Sequence, residues 1–236
     1  MTVFGPADWD GIRLVVFDVD GTLYRQRPLR IRMARDLALY ALTSLDLRTL
    51  AVLRRFRRLR EDLGEARVEG FAECLVAETA AGSGCTPAEV RTIVSRWIDR
   101  HPLPYLLRSR YAGLPELFAG LRRHGRAIGV LSDYPAAAKL AALELAPDHV
   151  VTADDPDIGV LKPHPKGLAI LIERGNATPA STLMIGDRAE RDGRVGRQVG
   201  ARVLLRSSRP IAGWQTFARF DDPLFAPMLG QPCARF

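Results

Sequence analysis

The chain has 236 residues, 47% of them hydrophobic, enough to bury a sizeable core in one or two domains. No apolar run approaches the ~20 residues of a membrane span and no signal-peptide pattern opens the chain, so a soluble protein of the cytoplasm is expected, with no membrane partner. The net charge of +7 favours anionic partners, yet it is almost all arginine, since Lys139, Lys162 and Lys166 are the only lysines; Cys74, Cys85 and Cys233 are too irregular for a disulfide framework or a zinc site.

The first predicted element is the apolar strand "IRLVVF" (12–17), which runs straight into Asp18, Asp20, Gly21 and Thr22. Two like charges one residue apart at the end of a buried strand call for something cationic beside them, and Gly21 permits a turn that other residues resist. Residues 25–111 show no strand pattern. "RIRMARDLALYALTSL", "DLRTLAVLRRFRRLRED" and "TPAEVRTIVSRWIDRH" carry apolar residues at helical spacing, the last opened by Thr86, Pro87 and Glu89 as a capping box. The arginines of "RRFRRLR" (54–60) spread around their helix, with Val52, Leu53, Phe56, Leu59 and Leu63 as its apolar face, so a solvated helix accounts for them without nucleic acid. The expected organisation is an α/β core of residues 1–24 and 112–236, with a helical cap of residues 25–111 lying over the end of the first strand.

Beyond the insert, strands and helices alternate. A helix over 114–125 places Leu114, Leu117, Phe118 and Leu121 on one face and stops at Gly125; the strand "RAIGVLS" (126–132) then leads through Ser132 and Asp133 to a helix that Pro135 opens. "HVVTA" (149–153) is followed by Asp154, Asp155 and Asp157, read as solvated turn residues. A helix over 165–175, the strand "TLMIGD" (182–187) and the strand "ARVLL" (201–205) complete the pattern, and a tail with scattered apolar residues, "FDDPLFAPMLGQPCARF", ends the chain. Short, near-continuous apolar strands separated by helices predict a doubly wound, Rossmann-like parallel sheet with its working loops at the carboxyl ends of the strands.

Those loops carry "DVDGTLY" (18–24), "VLSD" (130–133), "LKPHP" (161–165) and "IGDRAERD" (185–192). In order and placement these are similar to the four motifs of the haloacid dehalogenase-like superfamily, and from about residue 12 to 205 the chain resembles a capped phosphatase of that superfamily, with the phosphoglycolate-phosphatase-like branch as a neighbour. The resemblance implies that Asp18 attacks phosphorus and forms an aspartyl-phosphate, while Asp20 protonates the leaving oxygen and later takes a proton from water. It implies that Ser132 and the N–H of Asp133 hold a phosphoryl oxygen, and that Lys162 neutralises Asp18 and the phosphoryl group. Mg2+ would be held by Asp18, Asp187 and the main-chain carbonyl of Asp20, with Asp192 holding a water on the ion or Lys162, and Glu190 a weaker alternative. His164 has no second ligand at metal spacing and reads as structural. The expected substrate is an anionic small-molecule phosphate ester. Asp20 argues against dehalogenase chemistry, and the lack of lysine between residues 25 and 111 argues against phosphonate cleavage through a Schiff base. A phosphomutase on the same fold and a basic, non-catalytic binding protein stand as alternatives.

Overall fold

The computed structural model describes residues 3–230. Six parallel strands form one sheet: β1 (Leu14–Phe17), β2 (Ala127–Ser132), β3 (His149–Thr152), β4 (Thr182–Gly186), β5 (Arg202–Arg206) and β6 (Thr216–Phe217), in the order β3-β2-β1-β4-β5-β6. β1 is central, with Phe17 in register with Val130 of β2 and Ile185 of β4. Strand order reverses direction on either side of β1, the point at which open α/β sheets bind ligands.

Each face of the sheet is covered. Val15 and Phe17 point into a core with Leu114, Leu117 and Phe118 of α6 (Leu114–Arg123) and Leu140 of α7 (Ala137–Ala142). Leu14 and Val16 point the other way, onto Leu168 and Leu171 of α8 (Lys166–Arg174) and Val195 of α9 (Arg194–Val199). Alternate residues of one strand thus serve two buried layers, which is why these strands read as unbroken apolar runs. The tail packs on the first layer: Phe220, Phe225 and Met228 are buried with Trp9 and Phe17, the last of them from α10 (Ala226–Leu229). Cys233 lies outside the described residues.

Between β1 and β2 run α1 (Gln26–Ser44), α2 (Arg48–Glu65), α3 (Phe71–Ala81), α4 (Pro87–Val94), a π-helical turn over Ser95–Arg100, and α5 (Leu103–Ser109). They enclose a separate core of Val52, Leu53, Phe56, Phe71, Leu75 and Trp97, which reaches the α/β layer at Ala153 and Leu161. Thr86 caps α4 by accepting from the Glu89 N–H, and the Glu89 carboxylate accepts from the Thr86 N–H at 2.7 Å. α1 has the least apolar burial of the long helices: Leu29 and Ala41 are buried, while Ile31, Leu39 and Leu42 are exposed.

Three local expectations need correction. The helix after β2 starts at Ala137 with Ala136 as its cap, so Pro135 precedes it rather than occupying its first turn. Pro165 caps α8 from outside. Asp154 is more than a solvated turn residue, because Arg60 donates to it at 3.1 Å. Asp155 accepts from the N–H and hydroxyl of Thr152, and Asp157 is exposed.

Candidate active site

The carboxyl ends of β1, β2 and β4 deliver Asp18, Ser132 and Asp187 to one place. Asp18 is buried, and its Oδ2 accepts from the Thr22 hydroxyl at 2.9 Å. Lys162, on the loop before α8, donates from Nζ to Asp18 Oδ1 at 2.5 Å and to Asp192 Oδ1 at 2.6 Å. Its main-chain N–H donates to Asp133 Oδ1 at 2.8 Å, and the Arg191 guanidinium donates to its carbonyl, so backbone contacts at both ends aim the ammonium. Ser132 is buried, with its Oγ accepting from the Tyr134 N–H at 3.1 Å.

Asp192 sits on a π-helical turn, Ala189–Gly193, that follows β4. Its Oδ2 accepts from the N–H groups of Asp187 and Arg188, both at 3.1 Å, which fixes the loop carrying Asp187. Two glycines make room for this packing. A Cβ on Gly186 would overlap the Asp192 side chain, and a Cβ on Gly21 would overlap the Asp187 carboxylate. Gly21 also has φ +104°, a backbone conformation open to glycine and strained for other residues.

Asp18, Asp187 and Asp192 each present an oxygen within 4.8 Å of the others. Against these three carboxylates stands the single ammonium of Lys162, which leaves the cluster short of positive charge. Burial opposes the Lys162 charge, but Asp18, Asp192 and Asp133 around it outweigh burial and hold its pKa well above the ordinary lysine value. Asp187 is pushed up to about 7, first by burial and then by Asp192, with Lys162, Arg206 and Arg188 pulling the other way. Its Oδ1 is buried with no hydrogen-bond partner among the described residues. An orphaned carboxylate oxygen in an all-oxygen, charge-deficient cluster suits a hard divalent cation.

Asp20 lines the same cavity as these carboxylates but takes its partners outside the cluster. Lys139 Nζ, on α7, donates to both its oxygens at 2.7 and 2.8 Å, and the Tyr24 hydroxyl donates to Oδ1. Burial raises the Asp20 pKa, but the charge and hydrogen bonds of Lys139 overcome that and set it below the usual aspartate value. Its side chain is therefore committed to Lys139 and Tyr24, and only its main-chain carbonyl is left to serve a cation. Glu190 lies outside the cluster, paired with Arg188 at 2.8 Å, and His164 Nδ1 accepts from the Lys166 N–H in a turn.

Reasoning from sequence missed Lys139, Tyr24, Arg60 and Arg191. Arg60 is buried on α2; it stacks on Tyr134 and Phe71, 4.4 and 4.9 Å from the ring centroids, and donates to the Asp133 carbonyl beside Ser132. Arg191 donates from its guanidinium to the carbonyl and the carboxylate of Glu61, tying α2 to the loop of Asp192. One signal was present for Lys139, the scarcity of lysine in this chain. Above the cluster opens a cavity of about 730 Å³, walled by α1, α2 and Trp97 on one side and by the strand ends on the other.

The chain matches the haloacid dehalogenase-like hydrolase family over residues 12–200. It is 28% identical over 205 residues to an N-acetylmuramic acid 6-phosphate phosphatase of Pseudomonas aeruginosa, spanning 81% of this chain and 80% of that protein. A protein of the same description from Pseudomonas putida is 26% identical over 81% of each chain. Among solved structures, YfnB of Bacillus subtilis, bound to magnesium, superposes with a TM-score of 0.64 at 16% identity, covering 93% of this chain and 99% of that one. The 2-haloacid dehalogenase of Pseudomonas syringae does so with a TM-score of 0.59 at 16% identity, over 93% and 98% of the two chains. The sheet order, the acidic cluster at the end of its central strand and the extent of the family match place the chain among the haloacid dehalogenase-like hydrolases.

Proposed function

We propose that the protein is a Mg2+-dependent phosphatase that hydrolyses a small-molecule phosphate monoester through an aspartyl-phosphate, with residues 1–24 and 112–236 as its catalytic core and 25–111 as its cap. The observation that carries this reading is the contact of one buried ammonium, Lys162, with both Asp18 and Asp192, beside the unpartnered oxygen of Asp187. Phosphatase-named relatives that share four-fifths of the chain support the same reaction class.

Asp18, Asp187 and the main-chain carbonyl of Asp20 would hold the ion, with Asp192 anchoring Lys162 and the Asp187 loop. When bound, Mg2+ supplies positive charge against the phosphoryl oxygens and relieves the repulsion among the carboxylates. An Asp18 oxygen attacks phosphorus while the bond to the ester oxygen breaks, the electron pair leaving with that oxygen. The leaving oxygen takes a proton from Asp20. In the structure Asp20 is an ion-paired carboxylate; the arriving phosphoryl dianion raises its pKa, as a like charge does, and favours the acid form the step requires. Water then gives a proton to Asp20 and attacks the phosphoryl-aspartate. The Asp18–phosphorus bond breaks, and inorganic phosphate and the Asp18 carboxylate are released. Ser132 and the N–H of Asp133 hold a phosphoryl oxygen through both steps, and Lys162 balances its charge.

The test is phosphate release from a panel of phosphorylated metabolites with Mg2+ or EDTA, for the wild type and for Asp18→Asn. Release that requires Mg2+ and vanishes in the variant is expected. Isomerisation of a sugar phosphate without net phosphate release would instead identify a mutase, and activity surviving in Asp18→Asn would overturn the role of Asp18.

A further inference from the structure

Six arginines line the cavity above Asp18, and they fall into two groups. Arg60, Arg188 and Arg191 are internal struts, paired with Asp154, with Glu61 and Glu190, and with Glu61. Arg30, Arg54 and Arg57 make no hydrogen bond or ion pair among the described residues, although each lines the same space. Arg54, Arg57 and Arg60 follow one another at three-residue spacing on α2 and wind round one side of that helix, from exposed Arg54 and Arg57 to buried Arg60. Arg60 marks the inner end of that series, where it donates to the Asp133 carbonyl beside Ser132. Arg57 and Arg54 lie roughly 4.5 and 9 Å further along the helix axis, given 1.5 Å per residue.

The same cavity carries a block of apolar side chains. Leu29, Met33, Leu37, Leu53, Trp97 and Ile98 line it from α1, α2 and the π-helical turn. Gln26 is the only amide in the lining, which includes no serine or threonine among the described residues. A polyhydroxylated sugar placed against that block would exchange hydration for methyl and ring surfaces, with Tyr24, Gln26, Glu61 and Tyr134 too few to match every hydroxyl, and each hydroxyl left unmatched costs free energy. A flat or branched apolar body loses nothing and gains by leaving water. The cavity volume is in the range that encloses a ligand of ordinary metabolite size.

We propose, building on the phosphatase reading, that the substrate is a phosphate monoester of an apolar, ring-bearing alcohol that carries a second anionic group, which Arg54 and Arg57 bind at the far end of the cavity. Guanidinium groups bind carboxylates and phosphates through paired, charge-assisted hydrogen bonds, so the second anion fixes the substrate's direction in the cavity.

The test compares four esters that all leave as primary alcohols, so that leaving-group chemistry does not bias the ranking: 2-naphthylmethyl phosphate, its 6-carboxy derivative, glucose 6-phosphate and N-acetylmuramic acid 6-phosphate. With Mg2+ the carboxylated naphthyl ester is expected to have the highest kcat/KM, roughly tenfold or more above the plain naphthyl ester, with the difference in KM. In Arg54→Gln/Arg57→Gln that ratio should collapse towards one. The same two naphthyl esters titrated into Asp18→Asn by calorimetry should show the same order of affinity. Either sugar phosphate matching the carboxylated ester, or a ratio that survives in the double variant, would overturn the substrate class and leave the phosphatase reading standing. Release from none of the four in Mg2+, with none from a wider metabolite panel, would overturn both.

Discussion

Lys139 Nζ lies 2.7 and 2.8 Å from the two oxygens of Asp20, a pair that joins α7 to the loop after β1 across 119 residues of sequence. Lys139 is 5% exposed and the Asp20 side chain 21%, so water does little to screen the pair. Lys139→Met should leave Asp20 without its counter-charge and held by the Tyr24 hydroxyl alone. We expect a loss of about 3 kcal/mol in urea denaturation, the order found when one partner of a buried pair is removed. Turnover should fall by roughly 10²-fold, because the general acid proposed above would be misplaced and forfeit its contribution. A variant with wild-type stability and turnover would show that the pair is dispensable.

Asp18 and its neighbours set stability against chemistry. Burial and the nearby Asp192 charge push the Asp18 pKa well up against the pull of Lys162, so the ionised form is disfavoured without a cation. Asp18→Asn removes one like charge and leaves Lys162 paired with Asp192. In EDTA its melting temperature should rise by roughly 2–4 °C, the shift that about 1 kcal/mol produces in a domain of this size. In Mg2+ the order should narrow or reverse, since a ligand at a hundredfold above its Kd stabilises the wild type by about 2.7 kcal/mol. Differential scanning calorimetry in the two buffers reads both effects, and identical melting curves in Mg2+ and EDTA would count against a cation at this cluster.

Glu61 predicts a pH dependence. Its hydrogen bond with Arg188 lowers its pKa from the ordinary 4.5, burial works against this, and the charges of Arg188 and Arg191 add to the lowering. A carboxyl depressed in the folded state stabilises the protein above its unfolded pKa, and that contribution disappears as pH falls through the folded value. Glu61→Gln should therefore be less stable than wild type at neutral pH, with the gap closing progressively below about pH 4.5. The side chain is about half exposed, so the effect is modest. Urea midpoints measured across that range check the trend; a gap that widens on acidification would contradict it.

Gly21→Ala combines two penalties, a strained positive φ and a Cβ driven into the Asp187 carboxylate. The strain alone costs about 1–3 kcal/mol. The displaced Asp187 should in addition weaken Mg2+ activation, so the variant is expected to need more Mg2+ for half-maximal turnover. A variant with a wild-type Mg2+ requirement would show that Asp187 relaxes without consequence.

The five longer strands were legible because β1 to β5 are buried on both faces and so are written as unbroken apolar runs; β6, two residues paired only with β5, left no such trace. The Thr86 capping box was legible because its chemistry is local. Asp18, Lys162 and Asp187 could be singled out because each follows a recognisable strand or motif. Lys139 and Arg60 could not, since one sits in an alanine-rich helix and the other in an arginine run, and what distinguishes them is a partner distant in sequence. The same holds for Arg191 and Glu61, which are 130 residues apart.

The Asp18–Lys162 contact closes a loop of 144 residues. During synthesis, β1 emerges long before the lysine that neutralises it, and β1 cannot take its central place until β2 and β4 exist to flank it. A nascent chain ending before residue 162 therefore carries an apolar strand whose Asp18 has no ammonium to pair with, although Lys139 is already there for Asp20. Burying Asp18 early would be costly, which favours keeping its end of β1 open until the late segments arrive. A chain truncated ahead of Lys162 should therefore stay open around Asp18 instead of trapping a half-built pocket.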